Sequence, residues 1–245
     1  MKLRVDIWSD IACPWCYIGK RHLEAALERF PHRDAVEIVW HAFELNPSAP
    51  REIEQTTSYA ERLARKYGSS VAEAERRIAR MTEIAKGDGL SFRFDRIRPG
   101  NTFDAHRVLH MALERGVQDA VKERMLRAYM TEGEAIGQPE VLVRLAAEAG
   151  LDAEEVRTQL AEGGYAEEVR EDEEMAREMG IDGVPFFVLG EKYAVSGAQP
   201  ADLLLQALTQ AWNDNEVRSR APQASGPAES AAPAEGAACG PDGCD

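Results

Sequence analysis

The sequence predicts an α/β protein in which a large all-helical insertion splits a small sheet unit and a flexible tail follows. Three observations predict it. The chain opens as strand–helix–strand and closes as strand–strand–helix. Nearly everything between them carries helical periodicity. From Ser219 onward the residues are mostly Ala, Pro, Gly and Ser, which bury too little to offset the entropy of ordering. The expected boundaries are 1–50 plus 181–212 for the α/β unit, 51–180 for the helical block and 213–245 for the tail.

The elements follow in order. Leu3, Val5 and Ile7 alternate with polar partners up to Trp8, a strand pattern. Ser9-Asp10 are turn and cap residues. From Cys13 to Arg29 the spacing becomes helical, with Ile18, Leu23, Ala26 and Leu27 on one face, and Pro31 stops it. Val36 to Trp40 is β-branched and strand-like. Helices are expected over 58–67 and 71–86, broken by Gly68-Ser69-Ser70. Asn101 is the expected N-cap of a helix carrying His106 and His110. Further helices start near Gln118, at Pro139 and at Asp152, where Glu155 sits in capping-box position. A last one in the block runs 165–179. Phe186 to Leu189 and Tyr193 to Ser196, joined by Gly190-Glu191-Lys192, form a hairpin. Pro200 to Trp212 is the closing helix.

Composition excludes several classes. The chain has 245 residues, enough for a core without disulfide staples. Its net charge of −14 repels phosphate backbones and anionic bilayers, so neither nucleic acid nor membrane is an expected partner. No apolar run approaches the ~20 residues of a membrane span, and the short apolar start lacks the features of a secretion signal. A cytoplasmic location is expected. The four cysteines, Cys13, Cys16, Cys239 and Cys244, form two close pairs, a pattern that suits redox or metal chemistry better than static cross-links.

Cys13-Pro14-Trp15-Cys16 stands after a strand and at the start of a helix. Amides at a helix N-terminus lack internal partners and the dipole is positive there, so both favour a Cys13 thiolate. Pro14 fits because its missing N–H has no role in the first turn. Cys16 lies one turn on, so Cys13 attacks and Cys16 resolves the mixed disulfide. Val184-Pro185 before the late strand is a candidate cis-proline turn. It would leave the Val184 backbone free to pair with an extended peptide beside Cys13. Pro185 is therefore grouped with Cys13 and Cys16, and Pro14, Trp15 and Val184 are the expected substrate contacts. Four thiolates could instead hold zinc, but the strand-then-helix setting with Pro14 favours redox use and no metal site is assigned.

Other residues carry weaker signals. His106 and His110 have metal-ligand spacing, but they share a face with Phe103, Leu113 and Val117, which favours core histidines. His41 and Glu44 either line the groove or are ordinary strand-end polarity. The acidic run Glu167, Glu168, Glu171 to Glu174 reads as a solvated helix face. Pro241-Asp242-Gly243 is turn chemistry that would fold Cys239 and Cys244 toward each other.

Ser9-Asp10 with Cys13 to Lys20, Asn101 to Arg107, Gly183 to Phe187 and Tyr193 to Pro200 together resemble the DsbA-like thioredoxin-fold oxidoreductases of the FrnE type. The resemblance spans 1 to about 212. It implies a thioredoxin fold with a helical insertion, a cis-Pro at Pro185 and protein dithiol–disulfide exchange by Cys13 and Cys16. Protein or peptide thiols and disulfides are the implied partners. No cofactor is implied beyond the redox-active disulfide, with glutathione or thioredoxin as a conceivable reductant. Secreted relatives commonly have His where Trp15 stands. Reductase or isomerase work in a reducing compartment therefore competes with oxidation.

The Cys239/Cys244 pair resembles an extension of some FrnE-type members. The 26 residues between Trp212 and Cys239 span roughly 25–30 Å as a flexible chain, so the pair is a candidate second redox centre in relay with the first. Two other functions compete. Kappa-class glutathione transferases and hydroxychromene carboxylate isomerases share the architecture but typically carry Ser at the Cys13 position. A peptide-binding chaperone would use the groove without the thiols.

Overall fold

The computed structural model describes residues 2–51 and 57–220, together with the backbone of 239–240 and 243–244. Strand β1 (Leu3–Ser9) leads into helix α1 (Pro14–Arg29), and after a 3₁₀ turn strand β2 (Val36–Ala42) returns parallel to β1. Seven helices then follow: α2 (Tyr59–Tyr67), α3 (Val71–Gly87), α4 (Phe103–Glu114), α5 (Gln118–Arg127), α6 (Pro139–Glu148), α7 (Ala153–Glu162) and α8 (Ala166–Glu178). The chain comes back to the sheet as β3 (Phe186–Leu189), antiparallel to β1, and β4 (Tyr193–Ser196), before α9 (Ala201–Arg220). The strand order is β2-β1-β3-β4, so the two halves of the sheet meet at β1 although seven helices separate them in sequence. No helix among the described residues is long and apolar enough to cross a membrane.

The alternation in β1 sorts its side chains between two cores. Leu3, Val5 and Ile7 pack with Leu23, Ala26, Leu204 and Leu208 of α1 and α9. Trp8 faces the other way, into a cluster with both cysteines, Val184 and Val188. The helical block builds its own core around Val108, Met111, Met125 and Leu142, and Ile11, Tyr17 and Ile18 from the sheet unit enter it.

Local chemistry explains the helix ends. Ser58 and Ser70 each close a full capping box, with Glu61 and Glu73. Gly68 ends α2 in the left-handed region at φ 60°. Asp152 accepts from the Glu155 amide at 2.9 Å, but the Glu155 side chain turns to Arg115, so only half of the expected box forms. Helix α4 is capped one residue later than expected: Asn101 accepts from the Phe103 amide at 2.8 Å, which holds the turn ahead of Thr102. Helix α9 runs eight residues beyond the boundary expected at 212. Residues 213–220 contain no Pro or Gly to stop it, and Asp214 holds the hairpin through Lys192 and the Tyr193 hydroxyl. The tail expected from 213 thus begins as helix, and its stretch 221–238 lies outside the described residues.

Candidate active site

The site is built where β1 hands over to α1. Cys13 occupies the N-cap position with extended backbone (φ −91°, ψ 115°), and Pro14 takes the first helical position. Both cysteines are free thiols and fully buried. The expected amide cradle is not how this state is arranged. Cys13 accepts no hydrogen bond from the first turn; its Sγ lies 3.5 Å from the carbonyl oxygen of Val184. A thiol is a donor, and a carbonyl accepts from it, so the protonated sulfur turns to Val184. Burial, then hydrogen bonding to Cys13, pushes the Cys16 thiol well above its ordinary value.

Val184 is fully buried and the Val184–Pro185 peptide bond is cis. The loop comes within van der Waals reach of α1: a Cβ on Gly19 would stand 2.9 Å from Pro185 Cγ and 3.3 Å from Phe187 Cζ. Trp15 is half-buried, with an indole N–H that has no hydrogen-bond partner. Pro14 is one wall of an apolar cleft completed by Tyr59, Leu63, Tyr67 and Phe94 of the helical block. Cys13, Cys16, Pro14, Trp15, Val184 and Pro185 therefore meet at one place. Cys239 and Cys244 are paired opposite each other in a short antiparallel ladder, β5 (Cys239–Gly240) with β6 (Gly243–Cys244).

A buried polar layer lies around the thiols, and much of it comes from the helical block. Burial raises the Asp10 carboxyl, yet His106, 3.5 Å away, and the amides of Leu45 and Ala12 outweigh it and hold Asp10 low. Glu44 is pushed up by burial and by Glu173, although Asn101 (2.9 Å) and Arg170 (2.8 Å) bind it. His41 donates to Asp172 at 2.5 Å and to Asp6 at 2.7 Å, and its ring stacks on Trp8 at 4.5 Å. Burial works against its charge, but the two carboxylates raise it to about 9. Asp172 also accepts from His110 (2.8 Å) and from the Ala42 amide (2.7 Å), and those bonds hold it far below the usual carboxylate range despite burial.

His41 and Glu44 are thus fixed in the layer joining sheet and insertion, and His106 and His110 each face a carboxylate. Among the described residues no group of three or more His, Cys, Asp or Glu is arranged to hold a metal ion.

Two residues were not anticipated. Asp172 sits in the acidic run read as solvated, but it shares a buried stripe with Val169 and Ala176. That i, i+3, i+7 spacing is visible in the sequence. Lys122 is fully buried, and its side-chain nitrogen has no hydrogen-bond partner among the described residues. It lies 5.3 Å from the Trp40 ring centroid. Burial pulls it down to about 8, while Cys16, Asp10 and Cys13 pull the other way. It stands with Gln118, Val121, Met125 and Leu126 on the buried face of α5, again a readable spacing.

Comparison with known proteins agrees with this geometry. Residues 4–209 match the DSBA-like thioredoxin domain. The structure is similar to that of a "probable DsbA oxidoreductase", SCO1869 of Streptomyces coelicolor, at TM-score 0.82 and 46% identity, covering 99% of this chain and 98% of that one. It shares its fold with 2-hydroxychromene-2-carboxylate isomerase (TM-score 0.60, 15% identity, 88% and 98% covered). The same holds for the cytosolic disulfide reductase DsbM of Pseudomonas aeruginosa (TM-score 0.55, 19% identity, 89% and 100% covered).

Proposed function

The chain belongs to the DSBA-like thioredoxin domain family, and on that premise we propose that it is a dithiol–disulfide oxidoreductase or isomerase of the FrnE type acting on proteins or peptides. One observation carries the reading. Two free thiols stand one helical turn apart at the head of α1, with the first against the Val184 carbonyl beside Pro185. The fold alone does not select this function, since 2-hydroxychromene-2-carboxylate isomerase shares it. The pair of thiols supports it, because a disulfide can close only between two of them.

Cys13 attacks a substrate disulfide and takes one sulfur into a mixed disulfide, releasing the other as a thiol. Cys16, kept as a thiol by burial, then attacks Cys13 and expels the second substrate sulfur. The substrate disulfide gains two electrons and the enzyme pair becomes a disulfide. The reverse sequence oxidises a substrate dithiol. Val184 and the Pro14–Trp15 corner flank the chain being exchanged, and Cys239/Cys244 pass electrons to or from the first pair.

Trapping tests the core of this. In Cys16→Ser the mixed disulfide has no resolving sulfur, so incubation with a disulfide-bonded protein such as insulin should accumulate a covalent adduct at Cys13. Cys13→Ser should give none. A Cys13 that alkylates no faster than free cysteine and forms no adduct would overturn the reading.

A further inference from the structure

Lys122 raises a question of pairing. A buried side-chain nitrogen without a partner among the described residues is costly whether charged or neutral. The groups that act on it come from three elements. Cys13, Cys16 and Lys20 belong to the head and body of α1, Asp10 to the loop before it, and the Trp40 ring to β2. Lys20 is occupied by Glu24, Asp119 and Glu123. The acids of α5 itself, Asp119 and Glu123, are turned toward Lys20, Arg21 and Tyr17. Asp10 is held by two amides and faces His106. The thiols remain. Cys16 is in the converse position: it must lose a proton to act, and burial makes that loss hard.

Resting on the dithiol reading, we infer that Lys122 takes the proton of Cys16 when the mixed disulfide is resolved and returns it when the Cys13–Cys16 bond is opened. In resolution the neutral amine accepts the Cys16 proton. The Cys16 electron pair forms the bond to Cys13 Sγ, and the Cys13–substrate bond breaks with its electrons leaving on the substrate sulfur. In opening, a substrate thiolate bonds to Cys13, Cys16 leaves with the electron pair, and the Lys122 ammonium protonates it. No outside oxidant or reductant enters. In the resting state Nζ makes no hydrogen bond among the described residues, and the rotatable stem of lysine supplies the approach. An amine held near 8 can both accept and give a proton at neutral pH.

The test uses the reduced full chain in a Cys239→Ser/Cys244→Ser background with dithiobis(nitrobenzoate), followed by stopped-flow absorbance. Attack by Cys13 releases one thionitrobenzoate, and attack by Cys16 on the resulting mixed disulfide releases the second. Lys122→Met should keep the first release and slow the second on the order of 100-fold, the usual worth of a positioned proton acceptor. With Lys122 present, the second release should rise with pH through a midpoint near 8. Lys122→Arg keeps the charge but cannot give up its proton, and should lose that midpoint. A second release in Lys122→Met within twofold of the parent would overturn the inference. So would full recovery, with the pH profile intact, in Lys122→Arg. If neither replacement folds, the parent's profile decides, and the absence of an inflection near 8 overturns the role. Absence of the first release from the parent would instead sink the dithiol reading beneath it.

Discussion

His41 shows how single side chains join the two parts of this molecule. It bridges Asp6 of β1 and Asp172 of α8, so its charge is shared between the sheet and the insertion. Its folded value near 9 lies above the 6.5 of a free histidine. The stabilisation is therefore complete below about pH 6.5 and is lost as pH rises through about 9, by about 3 kcal/mol. Asp172 behaves oppositely: depressed when folded, it stabilises above the ordinary carboxylate range and the benefit fades as pH falls below it. Melting temperatures across pH 6 to 10 should fall on the alkaline side, and His41→Gln should flatten that limb. An equally steep alkaline limb in the variant would refute the assignment. The two thiols and the proline turn were legible because their chemistry is carried by residue type and spacing. Asp172 and Lys122 were missed although the stripes they share with apolar neighbours can be read, because a charged residue within such a stripe looks like its solvated edge until the helix is docked.

Helix α1 carries the site, and its packing is set by a residue with no side chain. Gly19 lets the Pro185 ring and Phe187 come within contact of the helix. Gly19→Ala would put a methyl 2.9 Å from Pro185 Cγ, closer than carbon atoms pack, and a proline ring cannot swing away. Overpacking of this kind costs about 1–3 kcal/mol, and the displaced loop carries the Val184 carbonyl that faces Cys13. Chemical denaturation should show that loss together with a lowered rate of adduct formation at Cys13. A variant as stable and as fast as the parent would show that the loop has room to give. At this scale the elements were readable from periodicity, and the errors fall at their ends. Val36 to Ala42 outlasts its β-branched run because β1 continues to pair with it. Past 212, α9 is tied to the hairpin by Asp214, a contact between segments that no local pattern contains.

Across the whole molecule, the sheet unit and the helical block share one seam. Tyr17 and Arg21 of α1 reach Glu123 of α5, buried Lys20 reaches Asp119, and Arg170 of α8 reaches Glu44 after β2. The site is assembled on that seam, with sulfur from the sheet unit and Lys122 from the insertion. The order of elements foretold that the insertion interrupts the sheet unit. It could not foretell which face of each helix turns to the thiols. The second cysteine pair belongs to this scale too, since the relay proposed for it would work through the reach of the chain. Cys239→Ser/Cys244→Ser should lower turnover with a dilute external reductant about tenfold while leaving Cys13 adduct formation intact, given an effective concentration around millimolar for a tethered pair. Unchanged turnover and an unchanged Cys13–Cys16 potential would remove the relay.

The sheet also ends in a particular way at β2, its outer strand. There Gln118 of α5 sets its amide against the backbone of Trp40, accepting from the N–H at 2.9 Å and donating to the carbonyl at 2.8 Å. A glutamine side chain thus imitates the missing neighbour. The edge groups of Trp40 are taken and the Ala42 amide is held by Asp172, so this end of β2 offers less to a foreign strand. For an enzyme that pairs with extended peptides, as proposed above, a covered stretch of edge keeps such pairing away from this end of β2.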